Sequence, residues 1–506
     1  MSAFNELKER LATIADLDAA AALLGWDQET YMPPGAIEAR ADQLTTLARL
    51  SHDAFTDARV GELLDEAEAE IGDAAYDSDD ASLLRVTRRD WERATKLPSD
   101  LVARIAAATS RGQQAWQAAR AASRFADFAP HLETIVALAR EKAEALGYDH
   151  HIYDPLLDEY EPGMTTAQLE VVFAELREQL VPIVAALSPA GGAARAQNTP
   201  PPLDRRFDGQ AQWDFGIAVM EDFGFDFERG RQDRSAHPFT TAFAATDVRV
   251  TTRIHEDFLP AGLFGTLHEC GHGLYEQGVA AELGRSPLSG GASLGMHESQ
   301  SRLWEILVGR SKVFWRHYFS LLRKAFGGTL EGTDVDRFYA AINSVCPSLI
   351  RVEADEVTYN LHIMLRFELE KDLLEERLAV ADLPSAWNDG METYLGIRPD
   401  NDANGVLQDI HWSMGAIGYF PTYTLGNLMS AQIFSRVRSA IPDIELQIAE
   451  GDFTDLLTWL QRNIYRHGRK FTANELLART GAGELSADSW LTYILAKYSD
   501  LSGKEL

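Results

Sequence analysis

The sequence predicts a mainly α-helical protein with one short sheet, organised as one large two-lobed domain spanning residues 1–506. Three observations predict it. Apolar residues recur at helical spacing through most of the chain, β-branched alternation is confined to one short run, and one Pro/Gly/Ala-rich stretch interrupts the pattern. A chain of 506 residues has ample core for such a domain.

Taken in order, Phe4, Leu7, Leu11, Ile14, Leu17, Ala21 and Leu24 fall every three or four residues and lay one apolar stripe along a helix. The acids from Glu62 to Asp80 read as a solvated helix face and loop. Ser188 to Pro202 (SPAGGAARAQNTPPP) cannot continue a helix, so 188–202 is expected to be an exposed connection and a lobe boundary. After the turn-like Ala236-His237-Pro238, in which His237 takes no assigned role, Asp247 to Arg253 reads as a strand that could pair with an extended substrate by strand addition. Leu263, Phe264, Leu267 and Leu274 mark a further helix. Leu294 to Phe326 reads as a long buried helix broken once, and Val352 to Leu374 as another.

Composition excludes several functions. Lys plus Arg number 47 against 77 Asp plus Glu, a net charge of −30 that repels phosphate backbones and anionic lipid, so neither nucleic acid nor a membrane is an expected partner. The two cysteines, Cys270 and Cys346, cannot form a disulfide scaffold and read as reduced core thiols. The first residues lack a basic segment followed by an unbroken apolar run, so neither a signal peptide nor an anchor is expected, and the protein is placed in the cytoplasm.

The chemistry concentrates in His268-Glu269-Cys270-Gly271-His272. On a helix the two histidines sit at i and i+4 on one face, where both imidazoles reach one zinc ion. Glu269 borders that face and can act as general base without binding the metal. Cys270, two positions on from His268, points to the far side and reads as packed core. A catalytic zinc needs a third protein ligand, and Glu298, at the head of a buried helix, is a carboxylate that would be costly to bury unpaired. The stretch between is long enough for a helix end, the loop Gly284 to Gly291 and a return. The adjacent His297 competes for the role, although on a helix it points roughly 100° away from Glu298.

These blocks resemble the carboxypeptidase Taq family of metallocarboxypeptidases. The resemblance rests on HECGH and His297-Glu298-Ser299-Gln300, on Asp247 to Thr251, on Ile350 to Glu356 with Thr358-Tyr359, and on His411-Trp412-Ser413 through Gly418 to Tyr423. It also takes in Trp26 to Pro33, Tyr160 to Met164 and Gly405 to Asp409, covering about residues 24 to 432 with no departure at the metal ligands. It implies a helical fold with a deep cleft between two lobes, a small sheet beside the zinc helix, and a homodimer. It further implies removal of single residues from peptides with a free C-terminus, using zinc or cobalt. By the same resemblance His411 and Tyr423 donate to the oxyanion, with Tyr419 as alternative, and Arg351 grips the terminal carboxylate. Tyr423 could instead plug a loop, and Arg351 could instead pair with Glu353, Asp355 or Glu356. The rival activities are a zinc oligopeptidase cutting internally, which an amidated peptide separates, and a non-enzymatic helical scaffold, which metal content and hydrolysis separate.

Overall fold

A computed structural model describes residues 2–188 and 202–505; apart from Ser188 and Pro202, the expected connection lies outside them. The chain divides into two compact units, Met1–Thr95 with Thr199–Ile342 and Ile433–Glu484, and Lys96–Asn198 with Asn343–Gln432 and Leu485–Leu506. Helices dominate both, with one three-stranded sheet among the described residues.

In the first unit the helix Ala3–Thr30 starts at Ser2, whose hydroxyl accepts from the backbone of Asn5. Its stripe is buried at Phe4, Leu7, Leu11 and Ile14 but only half-buried at Leu17, Ala21 and Leu24. The buried half packs with Val60, Leu63 and Leu64 of the helix Ala58–Ile71, and with Leu283 and Leu288. The N-terminal stripe thereby supports the loop that precedes Glu298. On the acidic stretch, Glu62, Asp65, Glu66 and Glu68 face outward and pair with Arg59 and Arg88, as a solvated face should.

The sheet consists of β1 (Gly230–Arg234), β2 (Thr240–Ala244) and β3 (Asp247–Thr252), in the order β1-β3-β2. The β3 strand confirms the Asp247 to Arg253 expectation within one residue, but its proposed substrate pairing does not hold. It is the central strand, parallel to β1 and antiparallel to β2, so its backbone groups are already paired on both sides. The edges belong to β1 and β2.

The run Leu294 to Phe326 divides as expected: α-helix Leu294–Arg302 continues as a π-helix over Leu303–Val308, and a new helix, Lys312–Phe326, starts at Ser311, which caps Phe314. In the second unit the expected helix from Val352 begins only at Tyr359. Asp355 explains the delay: its carboxylate accepts from the backbone of Cys346, Val357 and Thr358 and holds the preceding residues in a turn. Cys346, half-buried, lies in this region rather than in the core. No helix among the described residues is long and apolar enough to cross a membrane.

Candidate active site

The helix Leu259–Gly278 carries the two motif histidines and is unusually rich in glycine, although each glycine costs about 1 kcal/mol relative to alanine. Packing supplies the reason at Gly271: a Cβ there would meet the Gln300 carbonyl oxygen at 2.7 Å and Ser301 Cα at 2.8 Å. The helix Leu294–Arg302 therefore crosses in direct backbone contact, which brings Glu298 over the histidines.

His268, His272 and Glu298 each offer one ligand atom within 4.8 Å of the others. The Oε2 atom of Glu298 lies 3.5 Å from Nε2 of both His268 and His272. Tetrahedral bonds of about 2.1 Å put ligand atoms about 3.4 Å apart, so this set fits a divalent ion of zinc's size. The far side of each ring is fixed. His268 Nδ1 donates to Glu305 Oε2 at 3.0 Å, while His297 Nε2 donates to Glu276 Oε1 at 2.7 Å. That bond leaves His297 Nδ1 to accept from His272 Nδ1 at 2.6 Å. Both Nε2 lone pairs then point inward, as carboxylate–histidine–metal arrangements require. With both its ring nitrogens committed, His297 stands behind His272 instead of competing with Glu298.

Burial pushes His272 down to about 3 and keeps it the neutral imidazole a metal ligand must be. Burial alone would raise Glu298, but Arg302, His268 and His272 outweigh it and hold the carboxyl well below its usual range. Arg302 Nε donates to Glu298 Oε1 at 2.7 Å, and Ser301 Oγ to Oε2 at 3.0 Å. Glu269 is buried, and its Oε2 accepts from Thr240 Oγ1 of β2 at 2.7 Å. Burial raises its pKa. Cys270 is fully buried on the opposite side.

A second cluster lies within the other unit. Arg351, 5% exposed, donates through Nε and Nη2 to Asp409 Oδ1 at 3.0 and 2.8 Å, and through Nη1 to the Tyr359 hydroxyl at 2.9 Å. Its partner is thus Asp409, and none of Glu353, Asp355 or Glu356. Arg366, fully buried, donates to Asp409 Oδ2 at 2.7 Å and to Gln408 Oε1 at 2.8 Å. His411, Tyr419 and Tyr423 are half-buried side by side, with the Tyr423 hydroxyl 3.4 Å from His411 Nε2 and the Tyr419 ring against both. Burial pushes His411 down to about 4, leaving it neutral.

Sequence reasoning missed Glu305, Thr240, Asp409 and Arg366, and the supporting roles of His297 and Glu276. One signal was available: Glu298, Ser301, Arg302 and Glu305 recur at i, i+3, i+4 and i+7, which places four charged or polar side chains on one face of a run read as a buried helix. Thr240 left no such signal, because it reaches Glu269 only through tertiary packing.

The profile of the carboxypeptidase Taq (M32) metallopeptidases matches residues 6–498. The chain is 42% identical to thermostable carboxypeptidase 1 of Thermus thermophilus over 99% of each, and 36% identical to carboxypeptidase 1 of Bacillus subtilis over 98% of each. The crystal structure of an M32 carboxypeptidase from Deinococcus radiodurans superimposes with a TM-score of 0.94 at 43% identity, covering 99% of both chains.

Proposed function

Because this chain belongs to the carboxypeptidase Taq (M32) family and is a metal-dependent carboxypeptidase, we propose that it works through a zinc ion held by His268, His272 and Glu298, with Glu269 as general base. The observation that carries this reading is the convergence of three ligand atoms whose supporting bonds already fix their orientation. A divalent ion there supplies Lewis-acid activation of water and of the scissile carbonyl. Glu269, steadied by Thr240, takes the proton of the attacking water and returns it to the leaving amine. Neutral His411 and Tyr423 donate to the developing oxyanion, with Tyr419 packed beside them. Arg351 receives the substrate's terminal carboxylate. Asp409 occupies its Nε–Nη2 edge and the Tyr359 hydroxyl accepts from Nη1, so an incoming carboxylate is received by the remaining N–H groups of the Nη1–Nη2 end.

Zinc is favoured over cobalt by the two imidazoles and one carboxylate, which form a common catalytic zinc set. The reading further includes one two-lobed working domain, a homodimer and a cytoplasmic location, the last supported by Cys270 and Cys346, which form no disulfide. Matched peptides ending in a free acid or an amide test the central roles. The enzyme should release C-terminal residues one at a time from the acid and spare the amide, and Arg351→Ala should erase much of that difference. Equal rates on acid and amide would favour internal cleavage, and an unchanged ratio in folded, metal-loaded Arg351→Ala would remove Arg351 from the site.

A further inference from the structure

We infer that Arg366, a residue placed too deep to meet the substrate, sets the preference for a free C-terminus by cancelling the charge of Asp409, so that Arg351 keeps its own positive charge for the incoming carboxylate. This rests on the role proposed above for Arg351.

Arg351 and Asp409 alone would form a neutral pair, and a buried neutral pair exerts little pull on an anion. Arg366 divides the same carboxylate with Arg351, one guanidinium on each oxygen, so two positive groups share one negative group. The surplus is one positive charge in a space where charge is costly to leave unbalanced, and a substrate carboxylate balances it.

The neighbours cancel that surplus only in part. Burial pushes His411 down to about 4, and burial together with Arg366 and Arg351 holds His362 well below its ordinary range, so both are neutral. Glu370, one turn along the helix from Arg366, accepts instead from Tyr153, Trp412 and the backbone of Gly418. Burial raises its pKa to about 7, so near neutral pH its charge is partial.

Arg366 is also immobilised. Its guanidinium lies 4.5 Å from the Trp387 ring centroid, and Nη1 donates to the His362 carbonyl at 2.7 Å. It is therefore a positioning residue that acts through Asp409 on Arg351.

A series of variants separates charge from shape, read as KM and kcat on matched acid and amide peptides with metal content and melting temperature checked for each. Arg366→Gln brings the cluster to zero net charge, and its KM for the acid peptide should rise about tenfold or more with kcat nearly held, shrinking the acid preference. Gln408→Glu, at a hydrogen-bond partner of Arg366, reaches the same net charge with Arg366 itself kept and should do likewise, which keeps the test alive should Arg366→Gln fail to fold. Arg366→Lys retains the charge but loses the fork, and Arg366→Gln combined with Asp409→Asn restores the surplus. Both should hold the preference within about threefold of the parent. Loss of preference in Arg366→Lys or in the double variant, or its survival in a folded zero-charge variant, would overturn the inference while leaving Arg351 in place. An unchanged acid-to-amide ratio in Arg351→Ala would instead remove the role of Arg351, and this inference with it.

Discussion

At the scale of single residues, the bond between Tyr423 and His411, 3.4 Å long, is a weak one that a developing oxyanion can displace. Tyr423→Phe should therefore lower kcat by about 10²–10³ with little change in KM. A near-normal rate there, with collapse in Tyr419→Phe, would transfer the role to Tyr419. Glu370 gives a pH signature. Burial lifts its pKa from 4.5 to about 7, so between those values the native state holds a proton that the unfolded chain has released. Its contribution to stability is complete below pH 4.5 and is lost as the pH rises through 7, about 3 kcal/mol over the window. Glu370→Gln should remove that decline from the pH dependence of urea unfolding, and a parallel decline in the variant would show that another group titrates. His268, Glu269 and His272 are legible in sequence because helical spacing alone puts them together, and Glu298 because an unpaired buried carboxylate is costly. Asp409 was not, since it meets Arg351 only after a long excursion of the chain.

Among elements, the crossing of Leu259–Gly278 with Leu294–Arg302 decides whether the ligands meet. Gly271→Ala improves helix propensity by about 1 kcal/mol yet drives a methyl group into the backbone at Gln300 and Ser301, and overpacking of that kind costs about 1–3 kcal/mol. Its melting temperature should fall and its metal affinity weaken. Gly25, in the helix Ala3–Thr30, has nothing within 4 Å of a Cβ, so Gly25→Ala should raise stability by about 0.5–1 kcal/mol. Equal melting shifts in the two variants would mean that Gly271 is no point of close approach. Periodicity located these helices well. It failed at Val352 to Thr358, where the hydrogen bonds of Asp355 override an apolar pattern, and it could not rank strands, because a central strand and an edge strand share the same alternation.

For the whole molecule, the charge of −30 is a field as well as a composition. Acidic peptides should be cleaved with a kcat/KM that rises with ionic strength and basic peptides with one that falls, and identical salt responses would show that the field does not reach the site. The family was legible in the sequence because its blocks are spread along the chain, whereas the supporting bonds behind the histidines exist only in the folded protein. The central claim is that Glu298 binds the metal while Glu269 serves the chemistry, and metal content measured by elemental analysis on intact, folded protein tests it most directly. About one ion per chain is expected in the parent and in an inactive Glu269→Gln, and almost none in Glu298→Ala. A Glu298→Ala variant that keeps its full metal, or a Glu269→Gln variant that loses it, would contradict the account.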